Sequence, residues 1–389
     1  MTVFVHTADW HLGKPYASIR DDEGRALVRQ ARFDALEQVA RAATEAGAAF
    51  VAVAGDLFDS PTPDRSTVSA ALSAIGGIGV PVYVIPGNHD HAGPGAVWEQ
   101  EFFRREREVL APGLRILTEP RPVEAEGAVI LPAPLLHRQL ASDPTAWIRS
   151  TNAFPGDGVL PRIVLAHGSV QDFGGRREGA EPTRSQPNLI QVERLPMEEI
   201  DYVALGDWHG TREIREKVWY PGTPEPDRFA KGEDHRQGRV LVVEVDRGGA
   251  PVVRPVETGV LGWHAVGARL DSGGDVKALG ETMSEHIGGR ARKDLVRLEL
   301  EGALGLADRR RLDELIESLR SRLLELRVED RVRLAPDGSE LRTLTQGEAD
   351  PLIARVASRL LATLESGTED APVVEASLRE LYLVAEEAS

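Results

Sequence analysis

Short apolar runs alternate with amphipathic stretches through the N-terminal quarter of the chain. Apolar runs of about four to eight residues are typical of buried strands, and longer stretches with one apolar face are typical of helices. The pattern predicts strands over 2–8, 49–54 and 80–85 and helices over 26–46 and 64–75, with Asp64 as the N-cap of the second helix. Strands that alternate with helices indicate a sheet covered by helices.

Further apolar runs predict strands over 128–131, 163–166, 202–205, 240–245 and 252–256. Between them, the stretch 174–188 is polar and rich in Gly, Pro and Arg, which predicts a mobile surface loop.

The pattern changes near Gly259. Beyond it we predict strands over 264–270 and 295–300, and helices over 276–286, 307–326, 351–364 and 372–386. The helix 307–326 has one apolar stripe, formed by Leu312, Leu315, Ile316, Leu319, Leu323 and Leu326. These patterns divide the chain into an α/β domain of residues 1–260, a small α+β domain of residues 261–335 and a C-terminal helical region of residues 336–389.

Composition excludes several kinds of site. None of the 389 residues is a cysteine, which excludes a disulfide scaffold, a cysteine-based zinc site, an iron–sulfur cluster and a cysteine nucleophile. The first residues lack the basic start and long apolar stretch of a secretory signal, and no apolar stretch approaches the roughly 18 residues of a membrane span. We therefore expect a cytoplasmic protein with no membrane partner.

The formal net charge of −16 would by itself argue against nucleic acid as a partner, since proteins contact DNA phosphates mainly through Lys and Arg. That charge is unevenly distributed, because residues 336–389 hold 11 Asp and Glu against 4 Arg. If carboxylates elsewhere in the chain bind metal cations, those cations would neutralise part of the remaining negative charge. The overall acidity is therefore only weak evidence about the substrate.

Five short motifs carry the candidate chemistry, and each lies at the end of a predicted strand. They are Asp9-Trp10-His11, Gly55-Asp56-Leu57-Phe58-Asp59, Gly87-Asn88-His89-Asp90, Ala166-His167-Gly168 and Gly206-Asp207-Trp208-His209-Gly210. A single histidine at a strand end is more often a hydrogen-bonded structural residue than a ligand. The carboxyl ends of strands in an α/β sheet converge on one edge, so the set as a whole predicts one site there.

The residue types in these motifs indicate metal binding. Carboxylates, imidazoles and an Asn carbonyl suit Mn²⁺, Fe²⁺ or Zn²⁺. Seven candidate ligands are too many for one ion and about right for two. Two ions about 3.5–4 Å apart can hold a phosphate and generate the hydroxide that attacks it in line.

The motif set resembles that of the calcineurin-like metallophosphoesterase superfamily, whose pattern is D-x-H, G-D-x-x-D, G-N-H-[DE], a G-H near the fourth strand and G-H-x-H. The resemblance spans roughly residues 1–260. Within the superfamily, GDLFD, VIPGNHD, the 205–209 region and Tyr220-Pro221-Gly222-Thr223-Pro224 with Phe229 resemble SbcD-type DNA repair nuclease subunits. The stretch after Gly259 and the sequence Leu378-Arg379-Glu380-Leu381-Tyr382-Leu383 resemble them more loosely. The resemblance implies a four-layer αββα sandwich, followed by the small domain and the helical region.

The resemblance also implies a role for each motif residue. Asp9, His11 and His209 would bind the first ion, Asp56 would bridge both ions, and Asn88, His167 and Asp207 would bind the second. His89 would be the general acid that protonates the leaving oxygen, and Asp59 would orient it. A catalytic imidazole has to carry a proton near neutral pH, so it cannot also be a ligand. Mn²⁺ is the expected metal, with Mg²⁺, Fe²⁺ and Zn²⁺ as alternatives.

Asp207 departs from the family pattern, which has His at this position. A carboxylate could bind the same ion, act through water or leave the second site weak, and we expect it to bind. The fourth motif reads Ala166-His167 rather than Gly-His, which is a smaller change.

Other polar and aromatic residues have simpler explanations. We expect His6, Trp10 and Trp208 to pack in the protein, and His91 to be a solvated loop residue, with contact to substrate phosphate as its alternative. Short basic clusters are each expected to be solvated surface, although together they are the visible candidates for DNA backbone contact; they lie at 104–107, 176–177, 290–293 and 309–311.

The expected function is a two-metal-dependent DNA nuclease, an exonuclease with endonuclease activity as a further option. It would act in DNA repair or end processing with an SMC-like ATPase subunit. The alternatives are a small-molecule or nucleotide phosphodiesterase of the same superfamily, or a mainly structural subunit with a weakened metal site. Protein phosphatases, which have G-D-x-V-D-R-G and G-N-H-E, are disfavoured because Ser60 and Pro61 follow Asp59 and the third motif ends in Asp90.

The last predicted helix has Val374, Leu378, Leu381 and Ala385 on one face, with Tyr382 beside them. Such a stripe either packs on its own domain or binds another chain. Sequence alone favours packing within the chain. The resemblance favours a partner, because SbcD-type subunits use C-terminal helices to hold the coiled-coil base of an SMC-like ATPase, and the acidic surroundings would suit a basic partner surface. A homodimer is left open.

Overall fold

The computed structural model describes residues 1–19, 21–150, 153–154, 158–170, 187–230, 235–346, 351–366 and 371–387. The chain forms two compact units, Met1–Leu261 and Gly262–Ser389. The second unit contains both predicted C-terminal regions, so the three-part division of the chain stays a prediction. Most of the predicted loop 174–188, with the basic pair 176–177, lies outside the described residues.

Within its described residues, the first unit is built on two six-stranded sheets. Its strands are β1 (Thr2–Thr7), β2 (Phe50–Val53), β3 (Val82–Val84), β4 (Leu114–Ile116), β5 (Val123–Ala125), β6 (Ala128–Ala133), β7 (Arg162–His167), β8 (Ser169–Val170), β9 (Leu189–Ile190), β10 (Tyr202–Gly206), β11 (Arg212–Arg215), β12 (Val218–Tyr220), β13 (Arg239–Val245) and β14 (Val252–Glu257). The sheet orders are β14-β13-β1-β2-β3-β4 and β11-β12-β10-β7-β6-β5, with β8 and β9 paired separately. Its helices are α1 (Asp22–Ala46), α2 (Arg65–Gly76) and α3 (Glu101–Leu110).

The two sheets pack face to face, which confirms the mixed α/β sandwich. Residues such as Phe4 and Phe50 of the first sheet and Ile163 and Tyr202 of the second share one buried cluster. The opposite face of the first sheet packs on the three helices. The opposite face of the second sheet packs on 3-10 turns such as Ala146–Arg149 and on irregular segments, so its outer layer, in the part of the chain described, is thinner than a layer of α-helices.

Asp64 caps α2 as predicted. Its carboxylate accepts a hydrogen bond of 2.8 Å from the backbone N–H of Thr67 and another from the Thr67 hydroxyl. Hydrogen bonds from Ser66 and Thr67 lower the pKa of Asp64 to about 2, which keeps the cap ionised at neutral pH.

The second unit begins with a strand–helix–strand–helix–strand segment. Its elements are β15 (Gly262–Leu270), α4 (Gly273–Ile287), β16 (Asp294–Leu304), α5 (Leu306–Arg322) and β17 (Glu325–Leu334). The three strands form a parallel sheet in the order β15-β16-β17. Parallel neighbours need crossover connections, and α4 and α5 supply them.

The predicted helix 307–326 was wrong at its C-terminal end. Helix α5 ends at Arg322, and Leu326 lies in β17, a strand that we did not predict. Leu323 and Leu326 nevertheless pack in the same core as Leu319. Because the end of the helix and the start of the strand face one core, the leucine spacing continued through the turn and resembled a longer helix.

The described residues of the second unit end in three helices, α6 (Gly338–Gln346), α7 (Pro351–Glu365) and α8 (Ala371–Glu387). The predicted stripe on α8 packs within this unit. Val374, Leu378 and Tyr382 are buried in a cluster with residues of α5, α6 and α7. Arg379 of α8 also pairs with Asp313 of α5 at 3.0 Å. Of the two fates considered for the stripe, these residues show packing within the chain; the side chain of Ala385 lies outside the described residues.

None of the described helices combines the length and apolarity needed to cross a membrane.

Candidate metal centre

The five motifs lie at the carboxyl ends of parallel strands. β1, β2 and β3 are parallel neighbours in the first sheet, and β7 and β10 are parallel neighbours in the second. The structure brings the predicted site residues together where these strands end; they are Asp9, His11, Asp56, Asp59, Asn88, His89, His167, Asp207 and His209.

Four of these residues have a left-handed backbone, which non-glycine residues seldom adopt. The φ angles are 56° at Asp9, 43° at His11, 54° at Asp56 and 101° at Asp207. Each such residue costs of order 1–3 kcal/mol and persists only where its surroundings hold it. Here the loops hold each other, since the N–H of Asp9 donates to Gly55 O at 3.1 Å and that of His11 to Asp56 O at 2.9 Å.

Two motif glycines allow the loops to approach so closely. A Cβ on Gly87 would lie 2.1 Å from Oδ1 of Asp56, and one on Gly55 would lie 2.3 Å from Nδ1 of His167. Gly55 also has a φ of +90°. Any larger residue at either position would displace a candidate ligand.

The first group of candidate ligands comprises Asp9, His11 and His209, each with a ligand atom within 4.8 Å of the others. The Nε2 atoms of His11 and His209 lie 3.3 Å apart. Two imidazole nitrogens and a buried carboxylate facing one point suit a divalent ion such as Mn²⁺, Fe²⁺ or Zn²⁺.

The second group surrounds His167. Its Nδ1 lies 2.7 Å from Ala54 O, so Nδ1–H donates to this carbonyl and Nε2 is left for a metal. This Nε2 lies 2.9 Å from Oδ1 of Asn88, 3.6 Å from Oδ2 of Asp56 and 3.9 Å from Oδ1 of Asp207. The donors therefore fit a second ion, with the Asp207 carboxylate at the position where the family pattern has His.

Asp56 is common to both sides of the centre. Its Oδ2 lies 3.7 Å from Nε2 of His11 and 3.6 Å from Nε2 of His167. Its Oδ1 accepts a 2.9 Å hydrogen bond from the backbone N–H of His89, which orients the carboxylate between the two groups. The position is the one that a bridging ligand would need.

His89 is the most exposed imidazole of the centre, with one third of its side chain accessible. Its Nδ1 lies 3.1 Å from the backbone carbonyl oxygen of Asp59 and 3.6 Å from that residue's Oδ1. The Asp59 carboxylate lies closer to Nδ1 of His11, at 3.2 Å. Distance alone would also group His89 with His11 and Asp56 as a ligand, so its role as the acid stays a prediction.

Burial dominates the electrostatics of the metal-free centre. It raises the pKa of Asp9 well above the usual carboxyl value, and Asp56 and Asp207 raise it further against the opposing effect of His167. Burial and the neighbouring Asp90 raise the pKa of Asp56. Burial and His209 lower the pKa of His11. Buried carboxylates that resist ionisation together with imidazoles that resist protonation form a centre that divalent cations would stabilise.

Asp227 is a site residue that the motifs did not reveal. Its side chain is fully buried, and its Oδ2 lies 3.0 Å from Nδ1 of His209. A carboxylate on the far nitrogen of a ligand histidine fixes the ring and leaves Nε2 for the metal. Burial opposes ionisation of Asp227, yet His209, Arg228 and Arg32 together hold its pKa well below the usual value. The sequence feature that could have revealed Asp227 was the segment after Tyr220. We used this segment for the family resemblance and not to predict site residues.

Asp90 organises the loops beneath the centre. Its two oxygens accept the backbone N–H groups of Gly87, at 2.7 Å, and of Phe58, at 3.1 Å. This fully buried carboxylate thereby joins the second and third motifs.

The residues expected to pack do so. His6 is fully buried between Tyr202 and the backbone of Leu205, and burial lowers its pKa to about 3. Trp10 is buried and donates to Thr7 Oγ1 at 2.9 Å. Trp208 packs partly buried against the second sheet.

The described basic clusters are largely paired with carboxylates. Arg309 contacts Asp313 and Asp330, Arg310 contacts Glu314, and Arg311 contacts Asp308. Arg105 and Arg290 likewise pair with Glu101 and Asp294. Arg309 is only 13% exposed, so it departs from the expectation of solvated surface, whereas the other pairs fit it. All of these pairs reduce the charge available to DNA.

The family model for the calcineurin-like phosphoesterase matches residues 2–236. The match covers more than half of the chain, and the chain belongs to this family. It is a metal-dependent phosphoester hydrolase family that uses divalent ions, in agreement with the ligand groups of the centre.

Two solved structures are similar over part of the chain. The crystal structure of TT1561 of Thermus thermophilus is 14% identical with a TM-score of 0.38, over 66% of this chain and 99% of that one. A second solved structure is 12% identical with a TM-score of 0.37, over 66% of this chain and 98% of the other. At these TM-scores neither likeness informs the function.

Proposed function

We propose that the protein is a two-metal-dependent DNA nuclease of the SbcD type, an exonuclease that hydrolyses phosphodiester bonds in DNA repair or end processing. The observation that carries the proposal is Asp56, whose Oδ2 lies 3.7 Å from one imidazole group and 3.6 Å from the other. A carboxylate between two ligand groups favours two-metal chemistry, and phosphodiesters are substrates of such chemistry.

Each residue of the centre has a distinct part in this proposal. Asp9, His11 and His209 would hold one ion, and Asn88, His167 and Asp207 would hold the other, with Asp56 shared. The bound ions, most suitably Mn²⁺, would supply the positive charge that polarises the phosphate and lowers the pKa of the attacking water. His89 would give a proton to the leaving oxygen, because its ring is accessible and its Nδ1 is fixed by Asp59 O.

DNA is favoured over other phosphodiesters by the sequence rather than by the geometry of the centre. The segment 220–229, which resembles that of SbcD-type nucleases, lies against the metal loops. The Thr223 hydroxyl donates to Asp9 O at 2.9 Å, and Asp227 contacts His209. The segment thus supports the catalytic loops as well as the resemblance.

The activity assay compares labelled linear duplex and single-stranded DNA with bis-p-nitrophenyl phosphate, in Mn²⁺, in Mg²⁺ and in EDTA. The proposal expects metal-dependent cleavage of DNA that EDTA abolishes and that His89→Ala reduces. Cleavage of the small ester without DNA cleavage would instead identify a small-molecule phosphodiesterase. Absence of both activities in a metal-loaded protein would identify a mainly structural subunit.

We also propose an SMC-like ATPase partner, bound through the C-terminal helices. The buried stripe of α8 cannot be the contact surface, because it packs within its own unit. Val373 and Val384 remain exposed at 65% and 52%, and they are separated by about three turns of α8 and so share a face. The acidic character of residues 336–389 suits a basic partner surface. A cytoplasmic location and a homodimer stay predictions.

The partner proposal predicts that Val373→Ser with Val384→Ser abolishes co-purification with the ATPase and leaves cleavage of a short substrate intact. Val109→Ser is the matched control, since Val109 of α3 is equally apolar and 79% exposed. Unchanged co-purification of the double variant would exclude this face of α8.

A further inference from the structure

Three cations converge on one carboxylate beside His209. The Asp227 side chain is fully buried, and Lys14 Nζ donates to its Oδ2. Arg228 donates through Nε to Oδ1 at 2.9 Å and through Nη2 to Oδ2 at 3.1 Å. Arg32, itself buried, places Nη2 at 3.8 Å from Oδ2. In the part of the chain that the structure describes, this single carboxylate therefore contacts all three cations.

Among the described residues, three further acids act on these cations: Asp59 on Lys14 and Arg32, Asp9 on Arg228, and Glu225 on Arg32. Burial raises the pKa of Glu225 to about 8, so at neutral pH this group is largely protonated. Its oxygens are also engaged by the backbone N–H groups of Val260, at 2.6 Å, and Leu261, at 3.0 Å. Glu225 therefore connects backbone segments and contributes little counter-charge.

The cations that reach solvent are Lys14 and Arg228, with 23% and 47% of their side chains exposed. Asp227 lies beneath them and holds them in place. Among the contacts of the described residues, Arg228 uses Nε and Nη2, which leaves Nη1 for a ligand. Such an arrangement suits an anion, because a guanidinium and an ammonium fixed side by side bind phosphate oxygens.

The imidazole ring of His209 separates Arg228, which lies beside its Nδ1, from the first group of metal ligands, which its Nε2 faces. Nη2 of Arg228 is 3.1 Å from Nδ1 of His209, and Nε2 of the same ring is 3.3 Å from Nε2 of His11. An anion on Lys14 and Arg228 would therefore be a neighbour of the phosphate under attack, not that phosphate itself.

We propose that Lys14 and Arg228 form a subsite for the phosphodiester next to the one that is hydrolysed. This inference rests on the proposed nuclease function and specifies its substrate as a chain with consecutive phosphodiesters. A substrate with a single phosphodiester would occupy the metal centre alone.

The test compares kcat/KM for the dinucleotide TpT, which has one phosphodiester, with that for the trinucleotide TpTpT. Wild-type protein should prefer the trinucleotide, and Lys14→Gln and Arg228→Gln should each reduce that preference about tenfold, as expected for loss of one charge-assisted hydrogen bond. Because the test uses the ratio of kcat/KM for the two substrates, any effect that Arg228 has on catalysis through His209 cancels. Arg105→Gln is the matched control, because Arg105 is 72% exposed on α3 and pairs with Glu101.

A binding measurement in EDTA gives a readout that does not depend on hydrolysis. Binding of labelled oligothymidylate to the metal-free protein should weaken in the variants, with the slope of log K against log[salt] smaller by about 0.7, the value for one phosphate contact on a single strand. Unchanged slope and unchanged substrate preference would overturn the subsite. The subsite would also be overturned if the variants lost binding or activity only with an ester that contains pyrophosphate. The ligand of Lys14 and Arg228 would then be a nucleoside diphosphate.

Failure of the proposed function would look different. If wild-type protein cleaves neither duplex nor single-stranded DNA in the activity assay above, the nuclease proposal fails. The EDTA measurement then decides the subsite by itself, with a reduced slope supporting it and an unchanged slope rejecting it.

Discussion

Nδ1 of His89 is held by the backbone carbonyl oxygen of Asp59, at 3.1 Å, rather than by the Asp59 carboxylate, which lies 3.6 Å away. That carboxylate is nearer to Nδ1 of His11, at 3.2 Å. A side-chain substitution at Asp59 can thus leave the orientation of His89 in place and still disturb a candidate metal ligand.

Two variants distinguish the role of His89 from that of Asp59. His89→Ala should retain its metal and lose about 10²–10⁴ in turnover, the range for losing a general acid. Asp59→Ala should weaken Mn²⁺ binding by less than about tenfold, because it removes a carboxylate 3.2 Å from Nδ1 of His11 that makes no hydrogen bond to it. Activity measured across a Mn²⁺ titration distinguishes them. A loss of metal in His89→Ala would show that His89 is a ligand.

Asp56→Ala should abolish binding of both ions, because its Oδ2 lies between the two ligand groups. Asp9→Ala should mainly impair one ion, because the assignment pairs Asp9 with His11 and His209; its carboxylate also lies within 4.8 Å of ligand atoms of Asp56 and His167, so metal analysis of this variant tests the assignment. Metal analysis of the purified variants by mass spectrometry is the measurement. Equal, single-ion losses in the two variants would reject the bridging role.

Asp207 should bind the more weakly held ion. Its Oδ1 lies 3.9 Å from Nε2 of His167, and its Oδ2 accepts a 2.8 Å hydrogen bond from the Ser169 hydroxyl. Asp207→Ala should therefore lower metal-dependent activity, and Asp207→His should retain or raise it, as judged by the Mn²⁺ concentration for half-maximal rate. An unchanged Asp207→Ala protein would show that the carboxylate does not participate.

Metal binding should release protons from carboxyl groups rather than from histidines. The pKa of Asp9 and of Asp56 is raised in the metal-free protein, so these groups keep their protons above the usual carboxyl range. The pKa of His11 and of His209 is lowered, so both are already neutral at such pH. Calorimetric titration with Mn²⁺ in buffers of different ionisation enthalpy measures the release.

The raised pKa values of Asp9 and Asp56 also determine how the stability of the metal-free protein changes with pH. A raised carboxyl pKa contributes stability to the metal-free fold below the unfolded value of 3.8, and this contribution is lost as the pH rises through the folded pKa. The increase in Tm caused by Mn²⁺ should accordingly grow as the pH rises above the usual carboxyl range towards neutrality. A Mn²⁺ effect that is constant over this range would mean that Asp9 and Asp56 are already ionised without metal.

The motifs were predictable from sequence because each candidate ligand follows an apolar strand that is easily identified. Asp64 was equally clear as a helix cap. The end of α5 was not, because Leu323 and Leu326 continue the helical spacing while facing the same core from a turn and a strand. Asp227 escaped prediction for another reason: its role depends on a contact with His209, 18 positions earlier in the chain, and no local pattern records it.

The Mn²⁺ content of the reconstituted protein tests the account most directly. Metal-free protein loaded with Mn²⁺ and freed of excess metal should hold two ions per chain at saturation, measured by mass spectrometry and by calorimetric titration, with the ion at Asp207 released first. Two ions per chain would support the shared position of Asp56 between His11 and His167. One ion per chain at saturating Mn²⁺, or none, would contradict the two-metal centre.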